Sequence, residues 1–279
     1  MGALLGVLPF FAYTTIFLAI PTIIVVVGAF LDGRGHPTLG NLRALAQPQV
    51  VSAFVRSTVL SAVTATLGAV FGALLAYAVS TAREGGLLRR LVTSLCGVLA
   101  QFGGVTLAFA FVATVGFQGF VTLWLEHLGI DLAGSIWLFE PYKGLILVYT
   151  YFQIPLMLIV FLPAVEGLKP QWGEAAESLG GSTWDYWRHV AGPILAPSFI
   201  GAMLLLFTNA FSAYATAAAL ISQGSPIITL LIGGTFSSEV ILGQENVGKA
   251  MALGMVAIVA LVMTIYALLE RRATKWLGR

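Results

Sequence analysis

Residues 166–193 read EGLKPQWGEAAESLGGSTWDYWRHVAGP, the most polar segment of the chain, and they lie between two long apolar runs, 143–165 and 194–221. Local chemistry predicts two short helices here. Pro170 suits a first helical position, where its missing N–H costs nothing. Gln171 to Leu179 are good helix formers, and Gly180-Gly181 offers a left-handed stop. Ser182 followed three residues later by Asp185 has the pattern of a capping box opening the second helix, which is expected to end before Pro193. Trp172, Leu179, Trp184 and Trp187 give the pair an apolar side, and a loop that exposes so much apolar surface points to a docking partner. Each flanking run is long enough to cross a bilayer, which takes about 20 apolar residues. A polar loop so bracketed belongs to a polytopic membrane protein.

Composition agrees. Of 279 residues, 58% are hydrophobic and 9% charged, too little polar surface to cover a water-soluble globule of this size. Charges bound six expected spans: 5–30, 55–80, 92–117, 143–165, 194–221 and 249–269. The charge-free stretch from Val190 to Ser238 exceeds one helix and holds Gly224-Ser225-Pro226 and Gly233-Gly234, which predicts a turn and a partly buried or interfacial segment after span five. Cytoplasmic loops carry the excess of Lys and Arg. Arg83, Arg89, Arg90, Lys169, Arg188, Arg271, Arg272, Lys275 and Arg279 fall on one side. Arg34, Arg43, Arg56, Lys143 and Lys249 fall on the other, with Glu126, Asp131, Glu140, Glu239 and Glu245. Both termini are therefore expected to be cytoplasmic, in a multi-pass inner-membrane protein. The chain reads as one all-α membrane domain: an N-terminal span and outer loop (1–52), a core (53–270) containing the loop 167–193, and a tail (271–279).

Several activities are disfavoured. No Gly-rich phosphate cradle ending in Gly-Lys-Ser/Thr occurs, so any ATPase must be another chain. His36, His127 and His189 lack ligand-spaced partners and Cys96 is alone, so no metal site is expected. The spans hold neither a Ser–His pair nor two Asp, which leaves no catalytic residue to name. Their near-freedom from ionisable groups disfavours a proton-driven carrier. A net charge of +2 without basic clusters suggests no nucleic-acid partner.

Glu174-Ala175-Ala176, then Gly180, then Val190 and Pro193 resemble, in order and spacing, the EAA signature of ABC importer permeases; Gly192 stands where Leu is usual. The resemblance covers roughly residues 53–270, the five-span core of the type I or MetI-like fold, with span one as an extra N-terminal helix. Tyr149 to Pro155 and Asn209 to Thr216 are similar to the subgroup that moves polyamines, ferric iron, thiamine or aminoalkylphosphonates. A polyamine such as spermidine or putrescine is the expected cargo, and an ABC permease for one of the other solutes or for a sugar is the alternative. A carrier or channel independent of ATP would make the signature incidental. The resemblance implies that the loop inserts as a coupling helix into one of two cytoplasmic ATP-binding subunits, where ATP and Mg²⁺ bind. It also implies a second permease subunit, expected to be a different sister chain, and an extracytoplasmic solute-binding protein. The implied ATPase-coupling residues are Glu174, Ala175, Ala176, Leu179, Gly180 and Trp184. Glu174 would pair with a cation, while the two alanines allow close approach.

The translocation path should be lined by polar side chains on apolar helices: Gln101, Tyr151, Gln153, Asn209, Ser212 and Tyr214. Thr106 and Thr216 can also satisfy themselves on their own backbone. No carboxylate lies well inside a span to meet a polyamine. Pro155 is a possible hinge in span four, and Gly68 with Gly72 form a small-residue packing face.

Overall fold

The computed structural model describes residues 2–83, 85–130, 143–221, 227–237 and 245–276. Its helices are α1 (Gly2–Thr14), α2 (Ile20–Gly28), α3 (Gly40–Ala44), α4 (Pro48–Ser80), α5 (Leu87–Gln101), α6 (Gly104–Val115), α7 (Phe120–His127) and α8 (Lys143–Glu166). They continue with α9 (Pro170–Ser178), α10 (Thr183–Tyr186), α11 (Gly192–Ser212), α12 (Ala215–Leu220), α13 (Ile228–Ser237) and α14 (Glu245–Trp276). Among the described residues, β pairing is confined to one bridge, Leu31 with Pro37. Among the described residues, six stretches are long and apolar enough to cross a membrane: Val7–Gly28, Pro48–Ser80, Gly104–His127, Lys143–Glu166, Thr183–Ser212 and Glu245–Leu268.

Spans three and five depart from their sequence-based limits, each for a local backbone reason. The third, expected over 92–117, is broken: α5 stops at Gln101, Gly103 is extended, and α6 starts at Gly104 with φ +68, a conformation glycine adopts without a Cβ clash. The fifth starts and stops earlier than 194–221. The second loop helix does not end before Pro193; α10 runs through a π turn, Trp187–Ala191, into α11. Pro193 has no N–H for the carbonyl four residues back, and the wider turn lets the Gly192 N–H bond to the Trp187 carbonyl instead. The same device, Thr15–Ala19, precedes Pro21 in the first span. A Cβ on Gly192 would lie 2.6 Å from that Trp187 oxygen, so the residue that departs from the signature is the one the π turn needs. After Ser212, Ala213 turns extended before α12 begins. The second span starts at Pro48, earlier than 55. Gly233-Gly234 sit within α13 and break nothing, while the turn expected at Gly224-Ser225-Pro226 lies outside the described residues, as do Asp131, Glu140, Glu239 and Arg279.

The chain divides into two units, residues 1–57 with 226–260, and 58–225 with 261–279. In the first unit, the hydropathic window of Val7–Gly28 buries none of its residues, as suits a helix surrounded by lipid. Its end is held by amides. Asn41 Nδ2 donates to the carbonyls of Ala29 (3.2 Å) and Leu31 (2.7 Å), and Asn246 Nδ2 donates to those of Leu31 (2.9 Å) and Asp32 (3.1 Å). Lys249 Nζ donates to Asn246 Oδ1 at 2.8 Å, and its stem fills the space a side chain on Gly28 would need. Asn246→Ala should therefore loosen residues 29–38 by about 1–2 kcal/mol, read as faster amide exchange there with α14 unchanged. The same loop is pH-sensitive. Asp32 Oδ1 accepts the N–H groups of His36 and Arg34, both at 2.8 Å, and these bonds, that from His36 first, hold its carboxyl below the usual 3.8. The folded loop favours the carboxylate, so its contribution is complete above 3.8 and is lost as pH falls through the lower folded value. Exchange of the Arg34 and His36 amides should accelerate on acidification below that point, and Asp32→Asn should abolish the dependence.

The second unit is built around α8, whose Tyr149, Gln153, Met157 and Leu158 are 0 to 1% exposed. Gly68 and Gly72 of α4 meet it as the sequence suggests. A Cβ on Gly68 would overlap that of Gln153, and one on Gly72 would overlap that of Met157 and lie 2.7 Å from the Ile154 carbonyl. The small stripe therefore brings two backbones close enough for dispersion contacts along their length. α8 runs through Pro155 and Pro163 without interruption. It lies antiparallel to α11, with Tyr149 bonded near Ala213, Gln153 near Leu206 and the rings of Phe161 and Phe199 5.8 Å apart. Arg89 of α5 pairs with Glu166 at one end of α8, and Phe111 of α6 stacks edge-on against Tyr151 near the other, at 5.5 Å. α5 and α6 together thus follow α8 along one broken path.

Candidate functional site

The loop 167–193 is held in shape at its turn, where α9 is closed at its C-terminus and α10 is capped at its N-terminus. Pro170 opens α9. At the other end Gly180, at φ +80, and Gly181 send their N–H groups back to the carbonyls of Glu177 and Ala176, both at 2.9 Å, which is a Schellman closure. A residue other than glycine at 180 would be forced into the left-handed region. Ser182 caps α10 reciprocally: its Oγ accepts the Asp185 N–H at 3.3 Å, and Asp185 Oδ2 accepts the Ser182 N–H at 2.9 Å. The edge of Trp187 meets Tyr77 of α4, ring centroids 5.1 Å apart. Motion of the loop therefore reaches two spans, α11 through the continuous helix and α4 through this contact.

The helix pair presents apolar surface outward. Leu179 is 89% exposed and Trp184 70%. Trp172, Ala175 and Ala176 on α9 and Leu179 just after it form a groove of about 490 Å³ with Asp185 and His189. Glu174 is exposed, and its carbonyl accepts the Ser178 hydroxyl at 2.8 Å. The six residues named for coupling therefore share one projection.

The polar residues of the spans separate into two groups. Gln101, Thr106, Tyr151, Asn209, Ser212 and Tyr214 are exposed. Gln153 is fully buried, donating through Nε2 to the Leu206 carbonyl at 2.9 Å while its Oε1 has no hydrogen-bond partner; in this conformation it joins α8 to α11 and lines no open face. Thr216 is likewise buried. Tyr149, adjacent in role to Gln153, donates its hydroxyl to the Ala213 carbonyl at 2.9 Å. Sequence reading passed over the Arg89–Glu166 pair and the Asn246 tie, since their partners lie 77 and over 200 residues away and no local pattern announces them.

A family model described as "Binding-protein-dependent transport system inner membrane component" matches residues 68–275. The sulfate transport system permease protein CysT of Escherichia coli (strain K12) is 31% identical over 173 residues, 61% of this chain and 58% of that protein. The spermidine/putrescine transport system permease protein PotB of Haemophilus influenzae is 24% identical over 276 residues, 96% of this chain and 93% of that one. The match thus spans little more than half of the first relative and nearly all of the second. Among solved structures, a bacterial alginate ABC transporter in complex with an alginate pentasaccharide-bound periplasmic protein superposes with a TM-score of 0.73. It covers 97% of this chain and 94% of that one at 18% identity, a likeness of fold.

Proposed function

The chain belongs to the family of inner membrane components of binding-protein-dependent transport systems, the permeases of ABC importers, and on that footing we propose that loop 167–193 is its coupling element, seated in a separate ATP-hydrolysing subunit. The observation that carries this reading is the doubly capped helix pair with Leu179 and Trp184 in the open. A lever must be stiff to transmit displacement and apolar to be held. Nucleotide-driven closure of the ATPase would move α11 and α4 through this pair, exchanging inward-open and outward-open states as a rigid-body change. The loop and both termini are cytoplasmic in this reading, a sister permease completes the pore, and an extracytoplasmic binding protein delivers the cargo. Gln101, Tyr151, Asn209, Ser212 and Tyr214 line the path for a small polar solute. The relatives carry different cargoes by name, sulfate and spermidine or putrescine, so cargo class rests on the chemistry of the path. The test is isolation of the membrane complex through a tag on this chain: an ATPase whose activity depends on the loop supports the proposal, and a chain that purifies alone under gentle detergent overturns it.

A further inference from the structure

Two helix breaks in the second unit meet each other. α5 yields to α6 at Phe102–Gly103 and α11 yields to α12 at Ala213–Tyr214. α6 packs along α12, and a Cβ on Gly104 would stand 3.7 Å from that of Ala215. Both breaks lie well away from the coupling loop. Gln101 is 12 residues beyond Arg89 and Ser212 is 20 beyond Gly192, roughly 18 and 30 Å at 1.5 Å per helical residue. Non-helical backbone at membrane depth persists only where protein buries it or water bathes it, and here Gln101, Ser212 and Tyr214 are exposed around it. The Ser212 hydroxyl donates within its own helix, toward Thr208 and Asn209, which leaves its oxygen free to accept. Tyr149, wholly buried, bonds to the Ala213 carbonyl at the point where α11 unwinds.

Charge is missing from this region. No Asp, Glu, Lys, Arg or His occurs in 91–125, 144–165 or 190–221. The helix ends that converge carry partial charges of both signs: α5 and α11 arrive with their carbonyl ends, and α6 departs with its N–H end. A polycation stripped of water there would find no counter-charge. A solute bearing both donors and acceptors would find partners of each kind.

Building on the permease reading, we propose that the paired breaks form a solute subsite of the translocation path. It takes an uncharged or dipolar solute through hydrogen bonds to Gln101 and Tyr214, beside helix ends of both polarities. Tyr149 is a positioning residue that fixes the second break. The subsite does not suit a polyamine, the cargo expected from the sequence.

Single cysteines at Gln101, Ser212 and Tyr214, in the full chain carrying Cys96→Ser and in the assembled complex in lipid vesicles, test this. The probes are two membrane-impermeant thiol reagents, sulfonatoethyl and trimethylammonioethyl methanethiosulfonate, with Leu74→Cys as an exposed apolar control. The expected result is modification about tenfold or more faster than the control, with the two reagents, each normalised to a free thiol, agreeing within about threefold. Rates no faster than Leu74→Cys overturn the subsite. A preference of about tenfold for the cationic reagent overturns its neutral class. Adding Tyr149→Phe should change the rate at Tyr214→Cys and leave Gln101→Cys as it was; no change at Tyr214→Cys overturns the positioning role. Labelling requires no ATP, so a complex that labels as expected yet brings no ATPase would count against the permease reading alone.

Discussion

Glu174→Arg should lower the ATPase activity that co-purifies with the chain by about tenfold or more, while the variant itself still assembles in the membrane. The carboxylate is exposed on α9, beside Ala175 and Ala176 on the groove, and it has no described ion-pair partner in its own chain. Reversing its charge removes nothing internal. Its effect falls on a partner cation brought close as the groove is covered, where like charges in contact cost several kcal/mol. Glu126→Arg, remote in sequence from the loop, serves as the control and leaves co-purification unchanged. Gly180→Val reaches the same end by another route. At φ +80 a β-branched residue costs on the order of 1–3 kcal/mol, enough to open the Schellman turn and misdirect Leu179. If both variants retain full coupled activity, the loop is not the lever.

Gly72→Leu should prevent stable assembly of the second unit. The first added carbon would overlap the Met157 Cβ and approach the Ile154 carbonyl oxygen. That oxygen belongs to helical backbone and cannot step aside as a side-chain tip can. Overpacking of a close helix contact costs about 1–3 kcal/mol or more. The expected result in detergent is a fall in thermal midpoint of at least several degrees, or no monodisperse protein. Gly97→Ala, at a helical glycine with nothing within 4 Å of the new carbon, should leave the midpoint where it was. Equal stability of the two variants would show that α4 and α8 do not pack through this stripe.

The sequence made the coupling loop legible because everything that shapes it is local. The capping box spans four residues and the Schellman closure six, and both are made of residue types that adopt those conformations with few alternatives. Spans one, two, four and six were legible from apolar length and flanking charge. The breaks in spans three and five were not. Gly103-Gly104 resembles many glycine pairs that helices tolerate, as Gly233-Gly234 within α13 shows, and Ala213 carries no signal of its own. Polar side chains in the spans were equally ambiguous. Gln153 and Gln101 look alike in sequence, yet one is buried against Leu206 and the other lies open beside a break.

By itself, then, the sequence determined that this is a polytopic helical membrane protein with a stiff, apolar-faced signature loop, since hydropathy and end-capping act over one span or one turn. Only the tertiary structure decided which helices unwind, that the two unwound points face each other, and that Tyr149 holds one of them. The reason is physical. A helix in lipid gives up its own hydrogen bonds only where a neighbour or water replaces them, and that neighbour, here the Tyr149 hydroxyl 64 residues from Ala213, is supplied by packing.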